Sequence, residues 1–250
     1  MKDNNIILSG KNIVKTYGEN TVLSGININI YKGSFTVIMG ASGSGKSTLL
    51  YMLSGMDQLS GGEVLYKGRN ISELPEKELA PLRGNAFGFV FQRINLVSSL
   101  SLYENILMAG LVNTSITEKE AKKETERLLE KMSISSVKDH LPSEVSGGEA
   151  QRAAVARAAI GKPGILFADE PTGALNKSNT KEVLDLFTEL HNEGQCIVLV
   201  THDKEAALRG NHIIYIEDGA IVSELSLQSY QEKDKEREKL LSGFLEKLKW

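Results

Sequence analysis

A glycine-rich segment at residues 40–47, Gly-Ala-Ser-Gly-Ser-Gly-Lys-Ser, constrains the fold of this chain more than any other feature. It follows the apolar run Phe35–Met39 and precedes a second run at residues 48–53, so the pattern predicts a strand, a tight loop and a helix. Glycines let backbone N–H groups turn inward, and a helix that begins at Lys46 directs the positive end of its dipole to the same place. The segment therefore predicts a site for the phosphates of a nucleoside triphosphate in an α/β fold.

The side chains of this loop have distinct expected contacts. Lys46 is expected to reach the β- and γ-phosphates, and the Ser47 hydroxyl is expected to ligate Mg²⁺. A chance match in a glycine-rich loop is the alternative, and the flanking strand and helix argue against it. The residues predicted to contact the nucleotide here are Gly40, Ala41, Ser42, Gly43, Ser44, Gly45, Lys46, Ser47 and Thr48.

Length, charge and cysteine content narrow the class of protein. A chain of 250 residues suffices for one large α/β domain or for a core with a small inserted subdomain. The net charge of −3 gives no reason to expect nucleic-acid binding, and no window approaches the ~18 apolar residues of a membrane span. The single cysteine, Cys196, excludes an internal disulfide, which agrees with a cytosolic protein.

Further runs predict the order of the sheets. Short strand-like runs at residues 6–8 and 26–30, and a hairpin at residues 61–68, favour an antiparallel sheet near the N-terminus. Apolar runs at residues 164–168 and 195–200 favour buried parallel strands, joined through a helix at residues 180–191.

Two further helices are predicted. Thr117 is a good N-cap for a charged helix over residues 118–132, and Glu120 completes a capping box. Residues 230–250 are helical in composition, and we interpret them as a helix that docks on its own domain or on a sister subunit. Its apolar face consists of Leu240, Leu241, Phe244, Leu245 and Leu248.

An apolar run that ends in two acids supplies the residues that hydrolysis needs. Residues 165–170 read Ile-Leu-Phe-Ala-Asp-Glu. Asp169, at the end of a buried strand, is expected to hold Mg²⁺ through its water shell. Glu170 is placed to accept a proton from an attacking water. The alternative is that the two acids are simply solvated at the end of a strand, and the presence of the phosphate loop argues against it.

A second glycine-rich segment precedes a helix rich in small residues. Ser146 is a candidate N-cap, and Gly147 and Gly148 free backbone amides for an anion. One nucleotide needs only one phosphate loop, so this segment is expected to serve another phosphate or the nucleotide of another subunit. A glycine-rich turn before an alanine-rich helix is the structural alternative.

Taken in order, these motifs resemble those of the ATP-binding cassette (ABC) ATPases. The resemblance extends from about Ile6 to Val222 and rests on residues 40–47, Phe91 and Gln92, residues 146–152, residues 165–170, and Thr201 and His202. It implies a P-loop NTPase (RecA-like) core with a parallel sheet, an antiparallel β subdomain and an inserted α-helical subdomain. The implied domain spans residues 1–223, with its core at 1–92 and 146–223, a helical subdomain at 93–145 and a C-terminal helical extension at 224–250.

The resemblance also assigns roles within a head-to-tail homodimer that binds ATP and Mg²⁺. Ser146, Gly147 and Gly148 would contact the γ-phosphate held by the partner's loop. The implied catalytic residues are Glu170, His202, which would bond the γ-phosphate, and Gln92. Tyr17 would stack on adenine, and the implied metal ligands are Ser47, Gln92 and Asp169.

Two positions depart from the family pattern. Glu149 follows the two glycines where many members carry Gln, a change expected to leave the amide cradle intact. Asn176 stands where Asp is usual, which keeps a hydrogen-bonding group but loses the charge that ties the two sites together; slower or less cooperative hydrolysis is a consequence to test.

Residues 168–176, 92–96 and 102–106 resemble a bacterial branch that contains macrolide exporters, lipoprotein-release ATPases and bacitracin-resistance transporters. This implies an ATPase at the cytoplasmic face of the membrane, paired with a separate transmembrane permease that acts on a peptide antibiotic, and no nucleic-acid partner. The alternatives are a soluble ABC ATPase and an ATP-switched regulator without transport, which the Asn176 departure keeps open.

Overall fold

The computed structural model describes residues 5–112 and 116–250. The chain divides into two compact units, of which the first runs to residue 79 and resumes at residue 196, and the second comprises residues 80–195. The division of the sequence into a core, a helical subdomain and a C-terminal extension stays a prediction.

Ten strands and eight α-helices are found within the described residues. The strands are β1 (Ile6–Tyr17), β2 (Asn20–Tyr31), β3 (Phe35–Met39), β4 (Gly61–Tyr66), β5 (Arg69–Asn70), β6 (Phe87–Val90), β7 (Ile165–Asp169), β8 (Ile197–Thr201), β9 (His212–Glu217) and β10 (Ala220–Ser226). The helices are α1 (Lys46–Leu53), α2 (Glu76–Ala86), α3 (Leu102–Val112), α4 (Glu118–Lys131), α5 (Gly147–Ala159), α6 (Lys177–Asn192), α7 (Lys204–Ala207) and α8 (Lys235–Lys247). Among these helices, all from the described ranges, none has the length and apolar character to cross a membrane.

The first unit contains an antiparallel sheet of four strands in the order β2-β1-β4-β5. β1 and β2 form a hairpin in which Tyr17 pairs with Asn20, so only two residues make the turn. Side chains of β2 alternate between buried and exposed over residues 26–30, which is typical of a sheet with one face on the core. The antiparallel sheet and the second hairpin, β4 with β5, confirm the prediction from the sequence.

The first unit also holds the strand that leads into the phosphate loop. β3 pairs in parallel with β8 on one side and with β9 on the other. Every residue of β3 and of β8 is buried, as expected for parallel strands covered on both faces. The predicted parallel strand at residues 195–200 is therefore present, with bounds shifted by one or two residues.

A hairpin of β9 and β10 was not predicted. Its turn consists of Asp218, with a φ of 45°, and Gly219, with a φ of 74°. Two residues with positive φ make the turn type that matches the twist of antiparallel strands, for which Asp-Gly is a favoured sequence.

The second unit packs helices around a parallel pair, β6 and β7. Phe167 of β7 contacts Phe87 edge-on, at 5.3 Å between ring centroids, and stacks on Phe89 at 5.5 Å. α5 is rich in alanine and buries most of its residues. A Cβ on Gly88 would lie 2.1 Å from the carbonyl oxygen of Ala158, so a glycine in β6 allows the strand to approach this helix closely.

The predicted helices form with small differences at their ends. Thr117 and Glu120 make the predicted capping box at the start of α4. α6 begins at Lys177, three residues before the predicted start, because the Asn176 side chain accepts a hydrogen bond from the backbone N–H of Asn179 and caps the helix.

The C-terminal helix forms as α8 and packs within the first unit. It buries Leu241 and Leu245 of its predicted apolar face, whereas Leu240 stays 50% exposed. A charged residue, Arg237, is the third buried side chain of this helix. Of the two predicted placements, on its own domain or on a sister subunit, the structure shows the first.

Candidate functional site

The predicted phosphate loop joins β3 to α1, as the sequence indicated. A Cβ on Gly40 would lie 2.1 Å from the carbonyl oxygen of Ile216, so only glycine fits there. Gly45 is the N-cap of α1 and has a φ of 98°, in the left-handed region. The first turn of α1 contains no acid, so nothing in that turn offsets the positive end of the helix dipole.

The side chains of the loop suit an anionic ligand. Lys46 is only 5% exposed, and its Nζ donates a hydrogen bond of 2.7 Å to the carbonyl oxygen of Ala41. The Ser44 hydroxyl is buried and has no hydrogen-bond partner among the described residues. Leaving such a group unpaired costs about 1–3 kcal/mol, a penalty that a phosphate oxygen would remove. Because Ala41, Ser42 and Gly43 stay exposed, a ligand can reach the loop.

The hairpin of β9 and β10, which was not predicted, contacts the phosphate loop and supports its backbone. The Gly219 N–H donates a hydrogen bond of 3.2 Å to the Ser44 carbonyl, and the Gly219 carbonyl accepts one of 3.0 Å from Ser24. Together with the close approach of Ile216 to Gly40, these contacts fix the backbone of the loop. The Asp-Gly dipeptide between two apolar runs was the sequence signal that could have predicted the hairpin.

In the second unit, β7 places the two consecutive acids. Asp169 is the last residue of this buried strand and is 5% exposed. Glu170 has a φ of 43°, which is rare for a residue with a side chain and costs on the order of 1–3 kcal/mol. Strain of this kind concentrates where a functional side chain must point in one direction.

Glu170 and Gln92 lie against the same residue. A Cβ placed on Gly173 would be 3.4 Å from Glu170 Oε2 and 3.7 Å from Gln92 Nε2. The structure therefore brings together two of the three predicted catalytic residues within the second unit. A carboxylate beside an amide can accept a proton from a water that the amide orients.

His202 follows β8 in the first unit. The Thr201 hydroxyl accepts a hydrogen bond of 2.9 Å from the backbone N–H of Asp203, and Asp203 in turn caps α7. These local bonds fix the turn that carries His202, whose side chain is exposed.

The second glycine-rich segment forms the start of α5. The Ser146 hydroxyl accepts a hydrogen bond from the Glu149 N–H at 3.3 Å and donates one to Glu149 Oε2 at 2.7 Å. The bond from the Ser146 hydroxyl to this carboxylate, with a second from the Ser146 N–H, holds the pKa of Glu149 below its usual value. Glu149 is therefore the reciprocal half of a capping box, a position that Gln also fills.

The same segment packs against the start of α6. Gly148 is buried, and a Cβ there would lie 2.6 Å from Asn179 Cγ. Ser146 and Gly147, by contrast, are exposed. The cap and the first glycine of this segment are therefore exposed to solvent, while its second glycine allows two helices to pack closely.

Tyr17, the predicted adenine contact, lies at the end of β1 and is 50% exposed. Its hydroxyl donates a hydrogen bond of 2.6 Å to Asp57 Oδ2. This bond, with partial burial and the charge of Asp57, raises the pKa of Tyr17 to about 12, so the hydroxyl stays protonated near neutral pH. No sequence pattern singles out Asp57, because it lies 40 residues away along the chain.

The predicted site residues divide between the two units. The first unit carries Tyr17, residues 40–48 and His202, and the second carries Gln92, residues 146–148, Asp169 and Glu170. Their assignment to nucleotide, metal and catalysis stays a prediction, which the geometry within each unit fits.

Comparison of the sequence with known protein families identifies the family of this chain. The family model described as ABC transporter matches residues 23–173, a range that includes the phosphate loop, Gln92, residues 146–148 and both acids. Tyr17 and His202 lie outside that range.

Curated relatives from several bacteria are similar over most of the chain. The bacitracin export ATP-binding protein BceA of Halalkalibacterium halodurans is 44% identical over 88% of this chain and 88% of its own length. The lipoprotein-releasing system ATP-binding protein LolD of Aquifex aeolicus is 41% identical over 88% of this chain and 98% of its own. The macrolide export ATP-binding/permease protein MacB of Pasteurella multocida is 42% identical over 88% of this chain, which spans only 34% of that relative.

Solved structures agree with these relatives. The dimeric bacterial ABC transporter cassette MJ0796 superposes with a TM-score of 0.82 at 36% identity, over 89% of this chain and all of that chain. A post-hydrolysis state of the same cassette, bound to ADP and phosphate, matches equally well at 35% identity. The predicted fold class, a P-loop core with parallel and antiparallel sheets and a helical subdomain, is confirmed, as is the assignment to the ATPases of this family. The chain belongs to the ABC transporter family, as one of its ATP-binding cassettes.

Proposed function

We propose that this chain hydrolyses ATP to power a membrane transporter, and that the phosphate loop around Lys46 is the observation that carries the proposal. The buried ammonium of Lys46 neutralises the β- and γ-phosphates, while the Ser44 hydroxyl and the N-terminal amides of α1 donate hydrogen bonds to phosphate oxygens. Glu170 accepts a proton from water as the water oxygen bonds to the γ-phosphorus. The bond to the bridging oxygen then breaks and ADP leaves. His202 forms a hydrogen bond with the γ-phosphate.

Mg²⁺ accompanies the nucleotide in this proposal. The described residues contain no group of three or more His, Cys, Asp or Glu side chains that could hold an ion by themselves. Mg²⁺ in phosphate sites typically takes only one or two carboxylates and completes its shell with phosphate oxygens and water. Ser47, Gln92 and Asp169 fit that pattern, since they supply one hydroxyl, one amide and one carboxylate. The ion would neutralise charge on the phosphates.

The functional unit is a head-to-tail homodimer. Ser146 and Gly147 are exposed at the start of α5 and serve the γ-phosphate bound by the partner copy. The dimeric state of the similar cassette MJ0796 supports this arrangement. Each nucleotide then lies between the phosphate loop of one copy and the Ser146 segment of the other, so bound ATP holds the two copies together.

The membrane partner is a separate permease, and the cargo is a peptide antibiotic. The relative BceA, which this chain matches over most of both lengths, is a bacitracin export ATP-binding protein. MacB is a macrolide export ATP-binding/permease protein, and this chain spans about a third of its length. From the likeness to BceA, we place this chain at the cytoplasmic face of the membrane as a peripheral subunit, with no nucleic-acid partner.

Substitution of Lys46 tests the nucleotide site. Lys46→Ala is expected to weaken ATP binding by at least tenfold, because a buried charge-assisted contact to phosphate contributes about 1.5–3 kcal/mol. The measurement is a titration of purified protein with ATP and Mg²⁺. Lys67→Ala, an exposed lysine of the first unit, is the matched control and should bind ATP normally. Equal affinity of the Lys46→Ala and wild-type proteins would contradict the proposed site.

The transporter itself is tested by affinity purification. Tagged chain is recovered with ATP from detergent-solubilised membranes of its own source, and the captured proteins are identified by mass spectrometry. A stoichiometric partner with several membrane spans supports the proposal, and the bacitracin sensitivity of cells lacking that partner tests the cargo. Recovery of the chain without a membrane protein would favour a soluble regulator instead.

A further inference from the structure

In the first unit, two side chains to which the sequence analysis gave no role form a cluster with Tyr17. We call Lys15, Tyr17 and Asp57 the Tyr17 cluster. Asp57 Oδ2 accepts hydrogen bonds from the Tyr17 hydroxyl at 2.6 Å and lies 2.9 Å from Lys15 Nζ. The Lys15 ammonium also donates to the Gln58 carbonyl at 2.7 Å and lies 4.6 Å from the centroid of the Tyr17 ring.

The carboxylate of Asp57 is itself held in place. Its second oxygen, Oδ1, accepts a hydrogen bond of 2.7 Å from the backbone N–H of Gln58. Both oxygens are thus engaged, so the carboxylate has a fixed orientation from which to hold the Tyr17 hydroxyl. A charge-assisted bond of this kind is about twice as strong as a bond between neutral groups.

The cluster connects the aromatic ring to the phosphate-binding helix. Asp57 follows the end of α1 within four residues, and its backbone N–H bonds to the carbonyl of Tyr51 in that helix. The same helix starts at Lys46, in the phosphate loop. The Tyr17 ring and the phosphate loop are therefore attached to opposite ends of one short helix, which fixes the spacing between them.

The lysine determines which face of the ring is available. Its side chain is 9% exposed and its ammonium lies over one face, in a cation–π contact. Tyr17 as a whole is still 50% exposed. A flat ligand that stacks on this ring must use the face that Lys15 leaves open.

We propose that Asp57 and Lys15 are positioning residues for the nucleotide base, which hold the Tyr17 ring at a fixed distance from the phosphate loop with one face open to adenine. This inference rests on the proposed function, in which Tyr17 stacks on the base. An unrestrained tyrosine at a strand end samples several rotamers and loses that freedom when the base binds. The cluster restricts the tyrosine rotamers before ATP binds, so less conformational entropy is lost on binding. It therefore raises the affinity for ATP without contacting ATP.

Binding of ATP and of inorganic tripolyphosphate to the same variants tests the proposal. Tripolyphosphate fills the phosphate loop but has no base, so a change in ring position leaves its Kd unaltered. Tyr17→Phe keeps the ring and removes the hydroxyl, and Asp57→Ala removes the acceptor. Each is expected to raise the Kd of ATP about threefold, and the double variant should show no further increase. Tyr17→Ala, which removes the ring, should raise it about tenfold.

Two further variants serve as references. Glu63→Ala breaks the exposed ion pair between Glu63 and Lys11 in the same antiparallel sheet, and should leave both ligands unaffected. Asp57→Asn retains an oxygen acceptor for the Tyr17 hydroxyl and should recover part of the ATP affinity that Asp57→Ala loses.

The outcomes separate failure of the inference from failure of the proposed site. If Tyr17→Ala binds ATP normally, Tyr17 does not contact the base and that part of the proposed function is wrong. If Tyr17→Ala weakens ATP binding while Tyr17→Phe and Asp57→Ala do not, the cluster has no positioning role. An equal loss of tripolyphosphate binding in Asp57→Ala would show that Asp57 acts through α1 instead, which also overturns the inference.

Discussion

Asn176 shows how a single departure from a family pattern can be harmless to the fold. Its side chain accepts the hydrogen bond from the Asn179 N–H at 2.9 Å and so caps α6. Asp and Asn are about equally good N-caps, so the aspartate expected at this position would make the same bond. What Asn changes is the charge at the start of the helix, where a carboxylate interacts favourably with the dipole.

This argument predicts opposite results for two substitutions of Asn176. Asn176→Ala should lower the free energy of unfolding by about 1 kcal/mol, because it leaves a helix N–H without its acceptor. Asn176→Asp should be neutral or stabilise by up to about 1 kcal/mol through the helix dipole. Urea unfolding of the two variants and the wild type is the measurement. A variant Asn176→Asp less stable than Asn176→Ala would mean that the cap is not the main role of this side chain.

The sequence could predict those site residues that contact neighbours a few positions away along the chain. The phosphate loop, the two acids at the end of β7 and the Ser146 cap work through neighbours within a few residues, so spacing alone indicated them. Asp57, Ile216 and Asn179 act on Tyr17, Gly40 and Gly148 across long stretches of chain. Ordinary residue types in such positions carry no local pattern, and only the fold reveals them.

Helix α8 shows where hydrophobic periodicity misleads. The spacing of five apolar residues predicted the docked face, yet Leu240 stays exposed and Arg237 is buried in its place. The Arg237 guanidinium donates hydrogen bonds to the carbonyls of Leu208, at 2.6 Å, of Gln228, at 2.5 Å, and of Gly210. Burial lowers the pKa of Arg237, but an arginine side chain remains charged near neutral pH.

The three carbonyls lie on segments that a hydropathy pattern cannot relate to the helix. Their arrangement matches the planar fork of a guanidinium, which presents several donors at once, so an arginine is the residue that suits this place. The hairpin of β9 and β10 is a different case, because its Asp-Gly turn is a local signal from which the sequence could have predicted it.

Removal of the Arg237 fork is expected to release the helix. Arg237→Lys keeps the charge but cannot bond three carbonyls in one plane, so it should destabilise the first unit by about 1–3 kcal/mol. Hydrogen exchange of the α8 amides should accelerate most, because this helix depends on the fork for its attachment. Lys239→Ala, an exposed position of the same helix, is the control. Unchanged exchange in Arg237→Lys would show that Leu241 and Leu245 suffice to hold α8.

The second glycine-rich segment has no ligand that a single copy of the chain would supply. Ser146 and Gly147 are exposed, and their capping box is complete without any ligand. The proposed head-to-tail dimer would give this helix start a ligand, namely a phosphate bound by the second copy. The dimeric state of the similar cassette MJ0796 supports that proposal.

A substitution of the proposed base should make this dimer visible. Glu170→Gln keeps the size of the side chain and removes the proton acceptor, so ATP is bound but not consumed and continues to bridge two copies. With ATP and Mg²⁺, light scattering should report twice the monomer mass, and phosphate release should fall by at least a hundredfold. Adding Ser146→Arg should abolish the dimer while each copy still binds ATP, because a large side chain then occupies the exposed helix start. A stable dimer in the double variant would refute the head-to-tail arrangement, and undiminished turnover in Glu170→Gln would remove Glu170 as the base.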